Sequence, residues 1–276
     1  MSVVRTFMPG SEWVYYKIYC GFDTASKLLT AQIHPLCQDF YRQGILDKWF
    51  FIRYKDPDHH LRIRFHVTSI EHLQTVLIDV RKSLQPLLKT RQIWDVQLGT
   101  YDRELERYGK NTMEHVETFF YIDSEILLEQ FQKNPSELER FQFLLSYLNM
   151  VIDFFTSGPK EKLDLLDRNQ SNFKTEFGVH SMAKKQLGKK YRDFAQHDYK
   201  FLPNLKYEEL KNTVNQILDC EKNDTLDIPL HSLLSSLIHM SINRAFPSRQ
   251  RLYEMVLYDF LYQQYRSTYY RKLKKK

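Results

Sequence analysis

The segments Lys48-Trp-Phe-Phe-Ile-Arg-Tyr54 and His60-Leu-Arg-Ile-Arg-Phe-His-Val67 are rich in aromatic and β-branched residues and flank the polar stretch Lys55-Asp-Pro-Asp-His59. Runs of this kind are typical of strands, and a short polar segment containing proline is typical of a turn. The sequence therefore predicts two strands joined by a turn.

On both sides of these two strands the sequence predicts a further strand and a helix. Trp13-Val-Tyr-Tyr-Lys-Ile-Tyr-Cys20 predicts an earlier strand, followed by a helix from Ala25 to Phe40 that ends at Gly44. Ile70 to Leu88 is again helical in period, and Gln92 to Leu98 predicts a fourth strand. The order β-α-β-β-α-β is that of a ferredoxin-like domain, with two helices on one face of an antiparallel sheet.

Residues from about Asn111 onward have mainly helical periodicity. We therefore predict an α+β fold with a ferredoxin-like half over 1–110, a mainly helical half over 111–270 packed onto it, and a basic tail over 271–276. Together they form one domain over 1–276, with a cleft between the halves. Thr156 to Gly178 is polar enough to predict a flexible loop.

Composition excludes several classes of protein. The 276 residues are 42% hydrophobic with few glycines and prolines, as in a folded soluble protein, and no apolar run is long enough for a membrane span or a signal peptide. We expect a cytoplasmic protein. Three scattered cysteines do not support a disulfide framework or a metal site. Much of the +6 charge lies in the C-terminal tail, an arrangement typical of a solvated terminus, and no nucleic-acid recognition motif accompanies it.

The strongest candidate for a functional site lies in the strand from His60 to Val67. Alternation along a strand sends Arg62 and Arg64 to the face opposite its apolar residues, about 7 Å apart. Two desolvated arginines require anions, and guanidinium groups bind carboxylate or phosphate through paired hydrogen bonds. The alternative is an ordinary solvated face of an antiparallel sheet.

Two further candidates are weaker by themselves. Glu104 and Arg107 share one side of a helical turn, where a surface ion pair is the common alternative. His239 lies four residues before Asn243 on a mostly apolar helix, where it could transfer a proton or be a core histidine. No phosphate-binding glycine loop, zinc-protease motif or serine-hydrolase elbow is present. The residues alone thus indicate an anion-binding cleft and name no reaction.

The strings that carry these candidates resemble a known family, the thiopeptide-type bacteriocin biosynthesis domain, which is equivalent to the C-terminal glutamate-elimination domain of class I lantibiotic dehydratases. The similarity spans nearly the whole chain. The matching stretches are Trp13 to Gly21, Asp47 to Pro57, His60 to Phe65, Tyr101 to Gly109, Asp123-Ser124, and Ile238-His-Met-Ser-Ile-Asn-Arg244.

The resemblance implies a lyase that eliminates glutamate from glutamylated Ser or Thr of a ribosomal precursor peptide, leaving dehydroalanine or dehydrobutyrine. In the larger family members another domain adds the glutamate from glutamyl-tRNA. The expectation is therefore the elimination half of a split dehydratase, with a separate glutamylation protein as partner. It needs no cofactor or metal of its own and makes no direct contact with nucleic acid or membrane. Homodimerisation is an expectation from the resemblance alone.

The family's elimination residues correspond to Arg62, Arg64, Glu104, Arg107 and His239. The resemblance implies that His239 transfers the proton and that the two strand arginines bind the glutamyl carboxylates or the developing negative charge. Glu104 with Arg107 would position the substrate or recognise its ammonium group.

One local departure and two alternatives accompany the resemblance. The family commonly has two glycines where this chain has Gly109-Lys110. Some relatives instead catalyse a formal [4+2] cycloaddition that builds a pyridine ring, but they have remodelled the elimination residues, so retention of all five types favours elimination. The other alternative is a non-catalytic subunit whose cationic cleft binds the precursor peptide in a modification complex.

Overall fold

The computed structural model describes residues 3–194 and 205–273 as a mixture of short strands and longer helices. The strands are β1 (Thr6–Phe7), β2 (Trp13–Cys20), β3 (Leu46–Tyr54), β4 (His60–Val67), β5 (Ile93–Gly99) and β6 (Tyr101–Asp102). The helices up to residue 131 are α1 (Phe22–Leu28), α2 (His34–Arg42), α3 (Leu73–Lys89), α4 (Leu105–Tyr108) and α5 (Met113–Phe131). The later helices are α6 (Glu137–Phe155), α7 (Pro159–Glu176), α8 (Ser181–Phe194), α9 (Leu205–Lys222), α10 (Leu230–Ala245) and α11 (Gln250–Leu273).

The main sheet has the order β3-β4-β2-β5, and all of its neighbouring strands are antiparallel. Helices α1 and α2, joined by a π-helical stretch, connect β2 to β3, and α3 connects β4 to β5. This is the predicted ferredoxin-like arrangement, and the α+β prediction is confirmed. The pair β1–β6 forms a separate two-stranded ribbon that the sequence pattern did not indicate.

Alternation along β4 separates the two faces of the sheet. Leu61, Ile63 and Phe65 are fully buried on one face. Trp49 of β3 lies opposite Phe65 on that face, and its ring is 6.3 Å from the ring of His34 in α2. The connecting helices therefore cover the apolar face, where burial of large side chains supplies most of the folding free energy.

Edge strand β3 is covered by α5 and α10. The backbone N–H of Arg53 donates to the Asn243 side-chain oxygen, and the Asn243 amide nitrogen donates to the Arg53 carbonyl, each at 2.9 Å. Arg244 Nε donates to the Phe51 carbonyl at 2.9 Å. Side chains of α10 thus satisfy backbone groups that an edge strand would otherwise expose.

Helix α5 carries three buried carboxylates towards its neighbours. Asp123 accepts hydrogen bonds from Arg244 Nη1 at 2.9 Å and from the Ser241 hydroxyl at 2.8 Å, and the side chains of the Asp123–Arg244 pair are fully buried. Glu125 accepts from Trp49 Nε1 at 2.8 Å. Glu117 is bound by Arg103. Each carboxylate is hydrogen-bonded, as burial of a charged group requires.

The chain divides into two compact units. Unit 1 contains Met1–Pro135 and Glu208–Ser248, so it includes the whole sheet together with α10. Unit 2 contains Ser136–Tyr207 and Arg249–Lys276. The division into halves at residue 110 and the single domain over 1–276 stay predictions.

The prediction of a flexible loop over Thr156 to Gly178 is wrong. Residues Pro159–Glu176 form helix α7, which begins at a proline, a residue whose fixed φ suits the first turn of a helix. Leu166 and Phe173 are buried, and α7 packs against α11 within unit 2. Most polar residues of this helix are exposed, although Lys162 and Gln170 are buried with the apolar side chains. Packing therefore outweighs local composition.

The basic tail begins within a helix. Helix α11 continues to Leu273, and Tyr270 in its last turns is half exposed. The remaining residues of the predicted tail, 274–276, lie outside the described residues.

We expect Asp123→Ala to lower the free energy of unfolding of unit 1 by about 3–5 kcal/mol, because it leaves the buried Arg244 without its carboxylate. All three tryptophans lie in unit 1, so denaturant unfolding followed by tryptophan fluorescence measures this change. Asp219→Ala, which breaks an exposed pair with Lys222 in the same unit, is the control and should cost less than about 1 kcal/mol. Equal costs for the two variants would contradict the prediction.

Candidate anion-binding site

Arg64 lies on the polar face of β4 and is only 6% exposed. Its guanidinium carbon is 4.6 Å from the ring centroids of Tyr15 and Tyr101 and 5.2 Å from that of Phe50. Nε and Nη1 are buried and have no hydrogen-bond acceptor among the described residues. Because a buried cation with unsatisfied N–H groups is costly, this geometry fits a bound anion. Arg64 is therefore not the solvated surface arginine of the alternative interpretation.

Arg62 lies two residues earlier on the same face and is half-buried. Its guanidinium carbon is 3.4 Å from the ring centroid of Tyr54, and its Nε donates to His60 Nε2 at 3.2 Å. Across the sheet, Lys17 of β2 lies opposite Arg62, and Tyr15 lies opposite Arg64. The predicted pair of arginines thus occupies one cationic, aromatic face.

Tyr15 lies close to both arginines. Burial raises the pKa of Tyr15, and the positive charges of Arg64 and Arg62 lower it in part. The phenol therefore stays protonated at neutral pH, so that its hydroxyl can donate a hydrogen bond to an anion on this face.

Glu104 and Arg107 lie at the short helix α4, beside α10. Arg107 Nη1 donates to Glu104 Oε2 at 3.3 Å, and Arg107 Nε donates to the Ser236 hydroxyl at 3.3 Å. His239 follows Ser236 by three residues on α10, so the two share a side of that helix, and His239 is half-buried. The structure thus brings the predicted Glu104–Arg107 pair to the helix that carries His239.

Tyr108 connects the two groups of candidates. Burial raises the pKa of Tyr108 to about 12, and the charges of Arg107, Glu104 and Arg64 all act on this phenol. The Arg107 guanidinium carbon is 5.2 Å from its ring centroid. The arginine face of the sheet and the α4–α10 region therefore both lie near Tyr108 within unit 1.

Sequence reasoning missed the support beneath Arg64. The Tyr101 hydroxyl donates to Glu117 Oε1 at 2.8 Å, and Arg103 binds both oxygens of Glu117 at 2.8 and 2.7 Å. This network fixes the Tyr101 ring that faces Arg64. The available signal was a glutamate within the apolar run of α5, since such a residue needs a buried partner.

The turn after α4 accommodates the departure from the family pattern. Gly109 has φ +80°, a conformation that favours glycine, whereas Lys110 is exposed. The backbone N–H of Lys110 donates to both oxygens of Asp227, at 3.1 and 2.9 Å. The turn therefore requires glycine at the first position and accepts a side chain at the second.

Residues 3–194 and 205–273 contain neither a metal-binding cluster nor a membrane-spanning helix. No group of three or more His, Cys, Asp or Glu side chains is placed to hold a metal ion. None of the helices there is both long enough and apolar enough to cross a bilayer.

Residues 13–265 match the family described as "Lantibiotic biosynthesis dehydratase C-term". The chain belongs to this family. Among curated relatives, the subtilin biosynthesis protein SpaB of Bacillus subtilis is 27% identical over 267 residues, covering 92% of this chain and 25% of SpaB. The nisin biosynthesis protein NisB of Lactococcus lactis subsp. lactis is 26% identical over 254 residues, covering 87% of this chain and 24% of NisB. The chain thus spans about a quarter of the length of these relatives.

Solved structures share the fold. The tRNA-dependent lantibiotic dehydratase MibB from Microbispora sp. 107891 matches with a TM-score of 0.66 and 19% identity, over 96% of this chain and 29% of MibB. TsrL matches with a TM-score of 0.65 and 14% identity, over 94% of this chain and 95% of TsrL. The pyridine synthase TbtD from thiomuracin biosynthesis matches with a TM-score of 0.60 and 12% identity, over 92% and 99% of the two chains. At these identities the likeness concerns the fold.

We expect Gly109→Ala to destabilise unit 1 by more than Gly44→Ala. Both glycines have positive φ, but only at Gly109 would the new methyl group lie 2.5 Å from Thr112 Oγ1 and 2.6 Å from Asp227 Oδ1. Backbone strain alone costs on the order of 1 kcal/mol, so Gly44→Ala measures that contribution. Tryptophan-monitored unfolding gives both values, and a cost at Gly109 no larger than at Gly44 would contradict the expectation.

Proposed function

We propose that this protein is a lyase that eliminates glutamate from glutamylated Ser or Thr of a ribosomal precursor peptide. The product would be dehydroalanine or dehydrobutyrine. Membership of the lantibiotic dehydratase C-terminal family supports a dehydratase-type role. The substrate must already be glutamylated, so the proposal requires a glutamylating activity outside residues 1–276, for which a separate protein is our expectation.

The observation that carries the proposal is Arg64, a buried guanidinium with two unsatisfied nitrogen atoms in an aromatic enclosure. Elimination from a glutamyl ester releases a carboxylate, an anion that a guanidinium group can bind through two parallel hydrogen bonds. Burial strengthens such an interaction because water does not screen it. Arg62, two residues away on the same face, would bind the second carboxylate or the developing enolate.

The proposed reaction begins with removal of the α-proton of the modified residue by the imidazole of His239. The released electron pair forms the Cα–Cβ double bond. The bond between Cβ and the ester oxygen breaks, and glutamate leaves as a carboxylate with the electron pair of that broken bond. The Arg62 and Arg64 guanidinium groups would stabilise both the enolate-like charge and the departing carboxylate.

Glu104 and Arg107 would act on the substrate's other charges. Glu104 is more exposed than Arg107, with 59% and 35% of the side-chain surfaces accessible. The exposed Glu104 carboxylate would bind the ammonium group of the glutamyl unit. Arg107, which also donates to the Ser236 hydroxyl, would orient the Glu104 carboxylate. Their proposed role is therefore positioning.

A pyridine-forming [4+2] cycloaddition is the second candidate. The specific observation in its favour is the fold match to TbtD over 99% of that chain. Retention of the five elimination residue types favours glutamate release instead. The third candidate, a binding subunit, also fits a cationic face.

We expect wild-type protein to convert a glutamylated Ser-containing peptide to the dehydroalanine peptide, with loss of one glutamic acid seen by mass spectrometry. His239→Ala should leave the glutamylated peptide bound but unconverted, because the base is lost. Arg64→Gln should lower kcat/KM at least about tenfold, as removal of a charged hydrogen-bond donor implies. Arg42→Gln, which changes an arginine side chain that is 74% exposed, is the control and should behave as wild type.

The same assay distinguishes the candidates. Failure of the wild type to release glutamate from its cognate peptide, together with ring formation from a dehydroalanine-bearing peptide, would replace the proposal with cycloaddition. Peptide binding that weakens in parallel in the His239 and Arg64 variants, with neither reaction detected, would indicate a binding subunit.

A further inference from the structure

His60 is a buried histidine directly beside the arginine face and outside the set of elimination residues. It is only 1% exposed. Its ring lies between two aromatic side chains, with centroid distances of 4.6 Å to Tyr19 of β2 and 5.4 Å to Tyr54 of β3. The same Tyr54 ring lies under the Arg62 guanidinium at 3.4 Å. One cluster therefore contains the imidazole, the phenol ring and the cation.

The two hydrogen bonds of His60 require one protonation state. Nδ1 is 2.8 Å from the Asp58 carbonyl oxygen, which can only accept, so Nδ1 must carry a proton. Nε2 is 3.2 Å from Arg62 Nε, which can only donate, so Nε2 must be unprotonated. Only the neutral imidazole protonated at Nδ1 satisfies both contacts.

We propose that His60, as a neutral imidazole protonated at Nδ1, is a positioning residue that holds the Arg62 guanidinium on the Tyr54 ring. The hydrogen bond occupies Nε of Arg62 and fixes the rotation of the guanidinium plane. Arg62 makes no other hydrogen bond to a described residue, so its two Nη groups stay available to an anion. The inference deepens the proposed function and rests on it only for the kinetic test below.

The groups around His60 favour this neutral form. Lys17 of β2, Arg62 of its own strand and His59 of the preceding turn are the charged or titratable groups that act on it, and Tyr19 and Tyr54 face its ring. Burial lowers the pKa of His60, and those three positive or basic groups lower it further, against the opposing effect of the Asp58 carbonyl. The contact with Arg62 therefore persists at neutral pH and is lost as pH falls through this lowered pKa, when a proton on Nε2 would point at the cation.

The first test does not depend on activity. Two-bond ¹⁵N–¹H NMR of the full chain at pH 7 identifies the tautomer of each of the ten histidines, and the signals that disappear in His60→Gln are those of His60. We expect the Nδ1-protonated neutral form. The Nε2-protonated form, or a charged ring at this pH, would overturn the proposal.

The second test compares two substitutions with glutamylated peptide as substrate. His60→Phe keeps an aromatic ring beside Tyr19 and Tyr54 but cannot accept from Arg62, so kcat/KM should fall about tenfold or more. In His60→Gln the amide can donate to Asp58 and accept from Arg62, so most activity should return. Since this amide does not titrate, the ratio of His60→Gln to wild-type kcat/KM should also rise as pH is lowered.

Equal losses in the two variants, with unchanged thermal unfolding, or a pH-independent ratio would overturn the positioning role. Absence of elimination by the wild type would be a failure of the proposed function. In that case the NMR tautomer still decides whether His60 holds Arg62.

Discussion

The contact on which the site depends is the attachment of α10 to edge strand β3. Asn243 replaces a neighbouring strand by pairing with both backbone groups of Arg53, and Arg244 is held between the Phe51 carbonyl and Asp123 of α5. A buried ion pair is a weak source of net stability but specifies its geometry strongly, because misplacing either partner leaves a bare charge. The constraint therefore sets the position of the helix that carries His239 relative to the sheet that carries the arginines.

The second constraint is that Arg64 is surrounded by rings rather than by acids. Aromatic faces attract a guanidinium without neutralising its charge, and its N–H edges stay available to a ligand. A protein carboxylate at this position would compete with an anionic substrate. Glu117 is nearby, but both of its oxygens are bound by Arg103, and its remaining contact holds Tyr101. Pairing Glu117 with another arginine thus preserves the charge of Arg64.

The sequence predicted the features that depend on neighbouring residues and missed those that depend on residues distant along the chain. Period-two alternation in β4 correctly placed Arg62 and Arg64 on the face opposite the apolar residues of that strand, because this pattern depends only on neighbouring residues. The polar composition of Pro159–Glu176 suggested a loop because one side of α7 is solvated, and the burial of Leu166 and Phe173 depends on helices distant in sequence. The Asp123–Arg244 and Glu117–Arg103 pairs join residues that no sequence spacing connects. Periodicity describes the spacing of residues within one helix or strand, so it cannot predict tertiary partners of this kind.

Because one fold is shared with the dehydratase MibB and the pyridine synthase TbtD, the architecture alone does not select a reaction. The side chains provide the distinction. Joining two neutral dehydroalanines develops little net negative charge, whereas elimination creates an enolate-like centre and then releases a carboxylate. Arg62, Arg64 and the nearby Lys17 lie on one face, and no acidic side chain among the described residues binds Arg64. Such a face is complementary to the negative charge that develops during elimination. Electrostatic complementarity to a departing anion is thus the physical reason for preferring elimination.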